Sequence, residues 1–225
     1  VELIDFYQPL IAHPDWLSDG IHPDSRGAKA LAETVYKGIT GNYGGLQLSP
    51  LFSDGMVLQR GGCYIQGLAN AGANVVVSYD GKELGKAVTN NRGEWRIWAV
   101  LSQPVESGML TIAAGRDVKR FKDVAVGEVW LCSGQSNMAF KVKQAETAQQ
   151  TIARCNDKGL RLYNMSPRWE TDNVSWDSAA LAEVDQLRLF EARPWSAASP
   201  ESVGDFSAVA YYMGKMLRDS LKVPV

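Results

Sequence analysis

The sequence lacks any long hydrophobic run, any excess of one charge and any regular cysteine pattern. No segment reaches the ~18 consecutive apolar residues that a membrane-spanning helix requires. Its 23 lysines and arginines nearly balance 25 aspartates and glutamates, and no basic cluster favours nucleic acid. The three cysteines, Cys63, Cys132 and Cys155, have no metal-ligand spacing. We therefore expect no nucleic-acid partner, no membrane span, no metal and no cofactor.

Histidine is also scarce, because the chain has only His13 and His22. What remains is an ordinary globular composition, with 45% hydrophobic and 21% charged residues. A length of 225 residues suffices for one large domain or two small ones. The two histidines are therefore the first places to look for a general base.

Residues 1–45 are predicted to contain one amphipathic helix followed by a linker. Asp24 or Ser25 can cap the helix, and Gly38 and Gly41 can end it. Its apolar residues recur at helical spacing: Ala28, Leu31, Ala32, Val35, Tyr36 and Ile39. One helix and a loop cannot bury a core of their own. This segment therefore needs a partner surface.

Residues 46–122 are predicted to form a small β-sandwich. The β-branched run Val75–Tyr79 precedes Asp80-Gly81, which is a strong tight-turn signal. The segment Glu94–Val100 alternates with period two, and further short strands follow at intervals of about ten residues. Short strands separated by glycine and asparagine turns are typical of a sandwich.

Residues 123–225 alternate between strand and helix patterns, which favours an α/β fold with a parallel sheet. The predicted elements are a strand at Glu128–Cys132, a helix at Ala145–Cys155, a strand at Leu160–Asn164, a helix at Ser207–Leu221 and the start of a strand at Val223–Val225. Cys132 is interpreted as a buried small hydrophobe. A loop rich in tryptophan and proline carries Trp169, Trp176 and Trp195, which either stack on sugar rings or are buried in the fold.

Ser136 follows the first of these strands in Gly134-Gln135-Ser136, so it lies where open α/β folds place their ligands. A serine hydroxyl becomes a nucleophile only when a base removes its proton. A serine that merely caps a turn would look the same. The motif is not the Gly-x-Ser-x-Gly elbow of α/β-hydrolases, because position 138 is Met.

Asp19 and His22 form the second candidate, in Asp19-Gly20-Ile21-His22-Pro23. An aspartate three residues before a histidine can bond one imidazole nitrogen and leave the other as a base. The alternative is that Asp19 only caps a helix and His22 is a packed surface ring. His13 has no comparable partner and is interpreted as a loop residue.

These motifs resemble those of the SGNH (GDSL-like) hydrolases. Asp19–Pro23 is similar to the superfamily's last block, and Gly134–Met138 is similar to its first block in the sialate O-acetylesterase form. Leu51–Arg60, Gly127–Ser133 and Phe206–Tyr212 resemble further stretches of that form. The resemblance spans about residue 48 to the end. Within residues 1–42, it rests on one short block and the helix.

The resemblance implies an SGNH, flavodoxin-like three-layer α/β fold, present incompletely, with the β-sandwich ahead of the serine. SGNH domains run serine first and Asp-x-x-His last, whereas this chain has the reverse order. We therefore expect a fragment across two tandem esterase domains. Residues 1–45 would close an upstream domain with Asp19 and His22, 46–122 would be the sandwich, and 123–225 would open a second domain with Ser136.

The implied activity is carbohydrate O-acetylesterase action through an acyl-enzyme on Ser136. The resemblance implies that this chain alone is inactive, because its base and two oxyanion donors would lie in the rest of the parent protein. The substrate is an O-acetylated sugar or glycan, either sialic acid or plant polysaccharide. An acetylxylan or hemicellulose esterase, and a non-catalytic carbohydrate-binding or scaffolding module, remain as alternatives. A third hypothesis is that His22 is itself the base of Ser136, within one chain or across a dimer. The family implies a periplasmic or extracellular location.

Overall fold

The computed structural model describes residues 3–11, 13–168, 180 and 190–225. Its first helix, α1, spans Ser25–Thr40. The Asp24 side chain caps α1 by accepting hydrogen bonds from the backbone N–H groups of Arg26 and Gly27. Gly41 ends it in the left-handed conformation, with φ 66°. The predicted helix, cap and stop are therefore confirmed.

The apolar stripe of α1 is only partly covered. Tyr36 is 55% exposed and Ile39 is 75% exposed. The linker after α1 is tied to the following strands, because the Ala71 N–H donates to the Gly41 carbonyl at 2.8 Å. The Tyr43 hydroxyl also donates to the Asn91 carbonyl at 2.9 Å.

Seven strands follow the linker within the described residues, as the sequence predicts for this region. They are β1 Val57–Gln59, β2 Cys63–Leu68, β3 Asn74–Tyr79, β4 Lys82–Val88, β5 Glu94–Ala99, β6 Val105–Ala114 and β7 Asp117–Gly127. The predicted turn at Asp80-Gly81 joins β3 to β4, and both residues have positive φ. β7 continues past position 122, where the sequence pattern changes from strands to alternating elements.

These strands form a five-stranded sheet in the order β1-β7-β6-β3-β4 and a second sheet of β2 and β5, counted over the described ranges. The pairs are antiparallel except for β1 and β7, which are parallel with Val57 opposite Ala125. Both sheets contribute to one apolar core. Its fully buried members include Ile65, Val75, Val77, Leu110, Ile112, Val124 and Val126.

The chain after β7 alternates short helices and strands. The described elements are α2 Ser136–Ala139, α3 Ala148–Arg154, β8 Asp157–Leu162, β9 Met165–Pro167, β10 Phe190–Ala192, β11 Ser196–Ala198, α4 Pro200–Val203 and α5 Ala208–Leu221. The predicted helices at 145–155 and 207–221 are confirmed as α3 and α5. The predicted strand at 160–164 is confirmed as β8, which begins three residues earlier. The described chain is thus a mixed α/β structure.

The predicted strand at Glu128–Cys132 is wrong. This segment is irregular, and Val129, Trp130 and Leu131 are 42%, 56% and 90% exposed. A strand needs neighbouring strands to accept and donate its backbone hydrogen bonds. Among the described residues of this segment, only Glu128 makes such a backbone bond, which its N–H donates to the Pro224 carbonyl at 2.8 Å. Cys132 is half-buried rather than buried, which still raises the pKa of its thiol.

Residues 223–225 pair with β8 in the manner of a parallel strand. The Val225 N–H donates to the Gly159 carbonyl at 2.9 Å, and the Arg161 N–H donates to the Val225 carbonyl at 2.8 Å. This alternation around Leu160 is the parallel pattern. Pro224 bonds Glu128 on the other side, and Gly127 has no room for a Cβ beside the Pro224 carbonyl. The predicted strand start at 223–225 is therefore supported by its backbone hydrogen bonds.

Candidate active site

Ser136 is the first residue of α2 and its side chain is exposed. The turn before it is tight, because a Cβ on Gly134 would lie 3.0 Å from the Met138 Cβ. Gln135 accepts from the N–H groups of Met138 and Ala139 through its carbonyl. The N–H of a first helical residue has no partner inside the helix. Ser136 therefore presents a hydroxyl and a backbone donor at the same helix start.

The helix that carries Ser136 rests on the start of α5. The Ala208 N–H donates to the Phe140 carbonyl at 2.8 Å. The Ser207 hydroxyl, which caps α5, also approaches the Met138 sulfur at 3.2 Å. These contacts join two segments about seventy residues apart. They fix α2 beside the N-terminus of the long helix α5.

Glu128 anchors the segment that leads to Ser136. Its carboxylate accepts from Arg60 Nη2 at 2.7 Å and from Gln59 Nε2 at 3.1 Å. These two hydrogen bonds, with that of Gln59 the stronger influence, lower the pKa of the Glu128 carboxyl. The Gln59 amide oxygen then accepts from the Val129 N–H at 2.8 Å. Sequence reasoning missed this anchor, since no local spacing connects residues 59 and 60 to residue 128.

Asp19 and His22 form the predicted pair. His22 Nδ1 lies 2.6 Å from Asp19 Oδ2, and the other carboxylate oxygen accepts from the backbone N–H groups of His22 and Ile21. The side-chain bond with His22, followed by these backbone bonds, lowers the pKa of Asp19 to about 2. The side chains are 78% and 55% exposed for His22 and Asp19. The pair leaves His22 Nε2 as the nitrogen for a second partner.

No hydrogen bond joins the Asp19–His22 pair to Ser136 within the described part of the chain. The other histidine, His13, lies outside any helix or strand, as the loop interpretation expects. Its ring stacks on Trp16 with a centroid distance of 3.7 Å, and it precedes a 3-10 turn at Pro14–Trp16. The described residues therefore contain one histidine with an aspartate partner, and it is tied to the N-terminal segment.

Of the three loop tryptophans, only Trp195 can be placed, because Trp169 and Trp176 lie outside the described residues. Trp195 packs against Tyr163 and the β-sheet core, and its indole donates to the Leu51 carbonyl at 2.9 Å. Trp195 is therefore half-buried against the protein rather than free on the surface. Searched over the same residues, the structure has no cluster of metal-ligating side chains. None of the described helices combines the length and hydropathy needed to cross a bilayer.

A comparison with solved structures finds a protein with a similar fold. The fold is similar to that of a carbohydrate acetylesterase from Xanthomonas citri, with a TM-score of 0.66 and 29% identity. The match covers 80% of this chain and 38% of the Xanthomonas chain. The mixed α/β fold of the described residues is therefore similar to that of a carbohydrate acetylesterase.

Curated relatives narrow the class to a family. Sialate O-acetylesterase of Rattus norvegicus is 30% identical over 196 residues, and that of Homo sapiens is 29% identical over 198 residues. Each match covers 80% of this chain. Over the matched stretch the chain is a homologue of the sialate O-acetylesterases. It spans 34% and 36% of the length of these two relatives. No protein-family model matches the chain.

Proposed function

We propose that the protein is a carbohydrate O-acetylesterase in which Ser136 is the nucleophile. The identity to sialate O-acetylesterases over 80% of the chain carries this proposal. A continuous stretch of that extent contains position 136 wherever it begins. The exposed Ser136 hydroxyl at a helix start is consistent with a nucleophile that an ester must reach. Its sugar substrate carries O-acetyl groups, as the names of the relatives indicate.

The proposed fold places this serine in the opening part of an SGNH esterase domain. Residues 46–122 would be the β-sandwich module and 123–225 the start of a flavodoxin-like three-layer domain. The parallel pairing of Val225 with β8, with α5 between them in the chain, supports a strand-helix-strand unit. Residues 1–45 would close an upstream domain of the same kind.

The proposed reaction is acyl transfer in two steps. Ser136 Oγ attacks the acetyl carbonyl carbon while a base accepts its proton, and the sugar hydroxyl departs after protonation. Water then attacks the acetyl-serine and releases acetate. The Ser136 N–H would donate one hydrogen bond to the oxyanion. Loss of one such donor typically costs about 10² to 10³ in rate, so this chain alone would be nearly inactive without the remaining donors and base.

The Asp19–His22 pair is proposed to serve a different serine from Ser136. Its geometry suits a base, because Asp19 holds His22 Nδ1 and so leaves Nε2 to accept a proton. Its place in the chain is the reverse of the SGNH order, in which the pair follows its own serine. If His22 instead serves Ser136, its ring must approach the Ser136 hydroxyl to about 3 Å. A structure of the full-length protein decides between the two arrangements.

The location of the protein is proposed from its proposed substrate, an O-acetylated glycan. Such glycans occur on cell surfaces and in plant walls, so the enzyme would act in the periplasm or outside the cell. Fractionation of the native host, with detection of the protein in periplasmic or culture fractions, tests this proposal. Recovery only with cytoplasmic markers would contradict it.

A serine-reactive fluorophosphonate probe tests the nucleophile on the full-length protein. We expect an adduct on the peptide that contains Ser136, and none on that peptide in Ser136→Ala, whether or not the proposed upstream serine is also labelled. Ser133→Ala is the matched control, because Ser133 is exposed in the same segment and is not proposed to react. An adduct that persists on this peptide in Ser136→Ala would refute the assignment.

A further inference from the structure

A groove of about 980 Å³ lies between the two sheets of the β-rich region. One wall is β2, with Tyr64, Gln66 and Leu68. β1 and the segment before it also line the groove, with Leu51 and Val57 among the lining residues. β1 is the terminal strand of the five-stranded sheet, and β2 belongs to the separate two-stranded sheet. The groove is therefore bordered by an edge strand of each sheet.

The backbone of β2 presents an open edge to this groove. β2 pairs with β5 on one side, and Ala69 and Gly61 continue that pairing at its ends by donating to Gly93 and Leu101. In an antiparallel pair, the backbone N–H and C=O groups of alternate residues point to the partner strand. Here the backbone groups of the odd-numbered residues of β2 point to β5. The N–H and C=O groups of Tyr64 and Gln66 must therefore point away from β5. No backbone partner for them is found in the described chain.

Pairing on this edge already begins at one end. The Leu68 N–H donates to the Gln47 carbonyl at 3.0 Å, and the Gln47 N–H donates to the Leu68 carbonyl at 2.8 Å. Gln47 thus occupies the position of a third strand beside β2, but only for one residue pair. Tyr64 and Gln66 follow at the two-residue period of that pairing. Backbone pairing along this edge of β2 therefore stops after one residue pair.

A buried donor in the groove wall is also unsatisfied. Trp95 is 4% exposed, and its indole N–H has no acceptor among the described residues. A buried unsatisfied donor costs about 1 to 3 kcal/mol, so native proteins seldom retain one. The groove around it is lined largely by apolar side chains, including Phe52, Met56 and Leu58. An occupant with backbone carbonyls and apolar side chains fits both features.

We propose that an extended strand of the same polypeptide, from outside these 225 residues, fills this groove and pairs with β2. The curated relatives carry about two thirds of their length beyond the matched part, which is ample for such a strand. An open strand edge is a site of unwanted association, and proteins normally cover it. The added strand hydrogen-bonds to Tyr64 and Gln66 and joins the two sheets across the groove. This inference goes beyond the esterase proposal and does not depend on Ser136.

Amide hydrogen exchange on the full-length protein tests the proposal within one strand. Ile65 and Gly67 face β5 and serve as internal controls, whereas Tyr64 and Gln66 face the groove. We expect all four amides to be protected to within about tenfold of one another. Exchange of Tyr64 and Gln66 more than about a hundredfold faster than the controls would overturn the proposal.

Two further conditions identify the occupant. The proposal expects the protection of Tyr64 and Gln66 to be independent of protein concentration and present without added ligand. Protection that grows with protein concentration would assign the edge to a second copy of the chain. Protection that requires added xylohexaose would assign the groove to a glycan. Either result overturns the proposal.

A pair of variants adds an independent readout. Gln66→Pro removes the groove-facing N–H, and Gln66→Ala keeps it. We expect Gln66→Pro to lower the thermal midpoint of the full-length protein by several degrees more than Gln66→Ala does. Equal midpoints would contradict a strand paired at this position. If Gln66→Pro fails to fold, the exchange measurement on the unsubstituted protein still decides the proposal.

Discussion

Two apolar runs, at residues 124–126 and 129–131, are separated by only two residues and differ in their burial. Val124 and Val126, at the end of β7, are fully buried. Trp130 and Leu131, just beyond Glu128, are 56% and 90% exposed. The first run has paired strands on both sides and a core beneath it, whereas the second has one backbone hydrogen bond at its start. Similar composition therefore gives a strand only where neighbours supply hydrogen bonds and cover.

The boundary between these runs is the Glu128 anchor. Up to this residue, contacts within the chain determine the conformation, through the parallel pair of β1 and β7 and the ion pair with Arg60. After it, the path to Ser136 depends on few described contacts. The proposed nucleophile thus follows a segment with few described contacts, although α2 itself rests on α5.

The largest contrast is expected between Ile112→Ala and Leu131→Ala. Ile112 is fully buried in the β-sheet core, so its truncation should lower the free energy of unfolding by about 3 to 4 kcal/mol. Leu131 is largely exposed, so the same truncation should change it by less than about 0.5 kcal/mol. Urea unfolding of the 225-residue chain measures both. A loss above about 1 kcal/mol for Leu131→Ala would show that the exposed run is packed after all.

A second contrast concerns the ion pair that joins β8 to the β-rich region. Arg161 is buried, with a side chain that is 5% exposed, and its guanidinium holds Asp123 at 2.6 and 3.0 Å. The Arg161 guanidinium, chiefly through these hydrogen bonds, lowers the pKa of Asp123. Asp123→Ala would leave the buried charge unpaired, which should cost about 2 to 3 kcal/mol.

The reciprocal substitution is the control for that contrast. Arg161→Met removes the buried charge and leaves Asp123, which is 52% exposed, to be hydrated. We expect a loss at least about 1 kcal/mol smaller than for Asp123→Ala, because an exposed carboxylate keeps its water. Equal losses in urea unfolding would mean that packing, rather than the unpaired charge, decides the effect.

The smallest effect is expected at the exposed Asp19–His22 pair, which is held by local bonds alone. Asp19 has its pKa lowered from 3.8 to about 2, so any stability it contributes is present above pH 4 and is lost as the pH falls toward 2. Carboxyl NMR titration should give a midpoint near 2. In His22→Ala, we expect the midpoint to rise but stay below 3.8, because the backbone bonds from Ile21 and residue 22 remain. A midpoint unchanged by the substitution would contradict the side-chain bond.

Local features were predictable from the sequence. The capped helix α1, the turn at Asp80-Gly81 and the Asp19–His22 bond all follow from residues within four positions of one another. Each depends on backbone geometry or a short side chain, so no distant partner is needed. The period-two alternation noted at Glu94–Val100 also appears in the burial of β5, where Trp95, Ile97 and Ala99 are buried.

Features that depend on distant residues were not predictable. The strand expected at Glu128–Cys132 failed because its apolar pattern says nothing about whether neighbours are present. The anchor of Glu128 by Arg60 and the open edge of β2 both arise from sheet topology. The partner base of Ser136 is a question of the same kind. A single sequence gives residue types along the chain but not which segments meet.

Acetate release by the full-length protein tests the central claim most directly. With an O-acetylated oligosaccharide as substrate, and with the proposed upstream site silenced by His22→Ala in both variants, we expect Ser136→Ala to lower kcat/KM by ~10⁴-fold or more, because the nucleophile is lost. Ser133→Ala, from the same exposed segment, should retain activity within a few-fold. That result would establish Ser136 as the nucleophile. Activity of Ser136→Ala equal to that of Ser133→Ala would contradict the account.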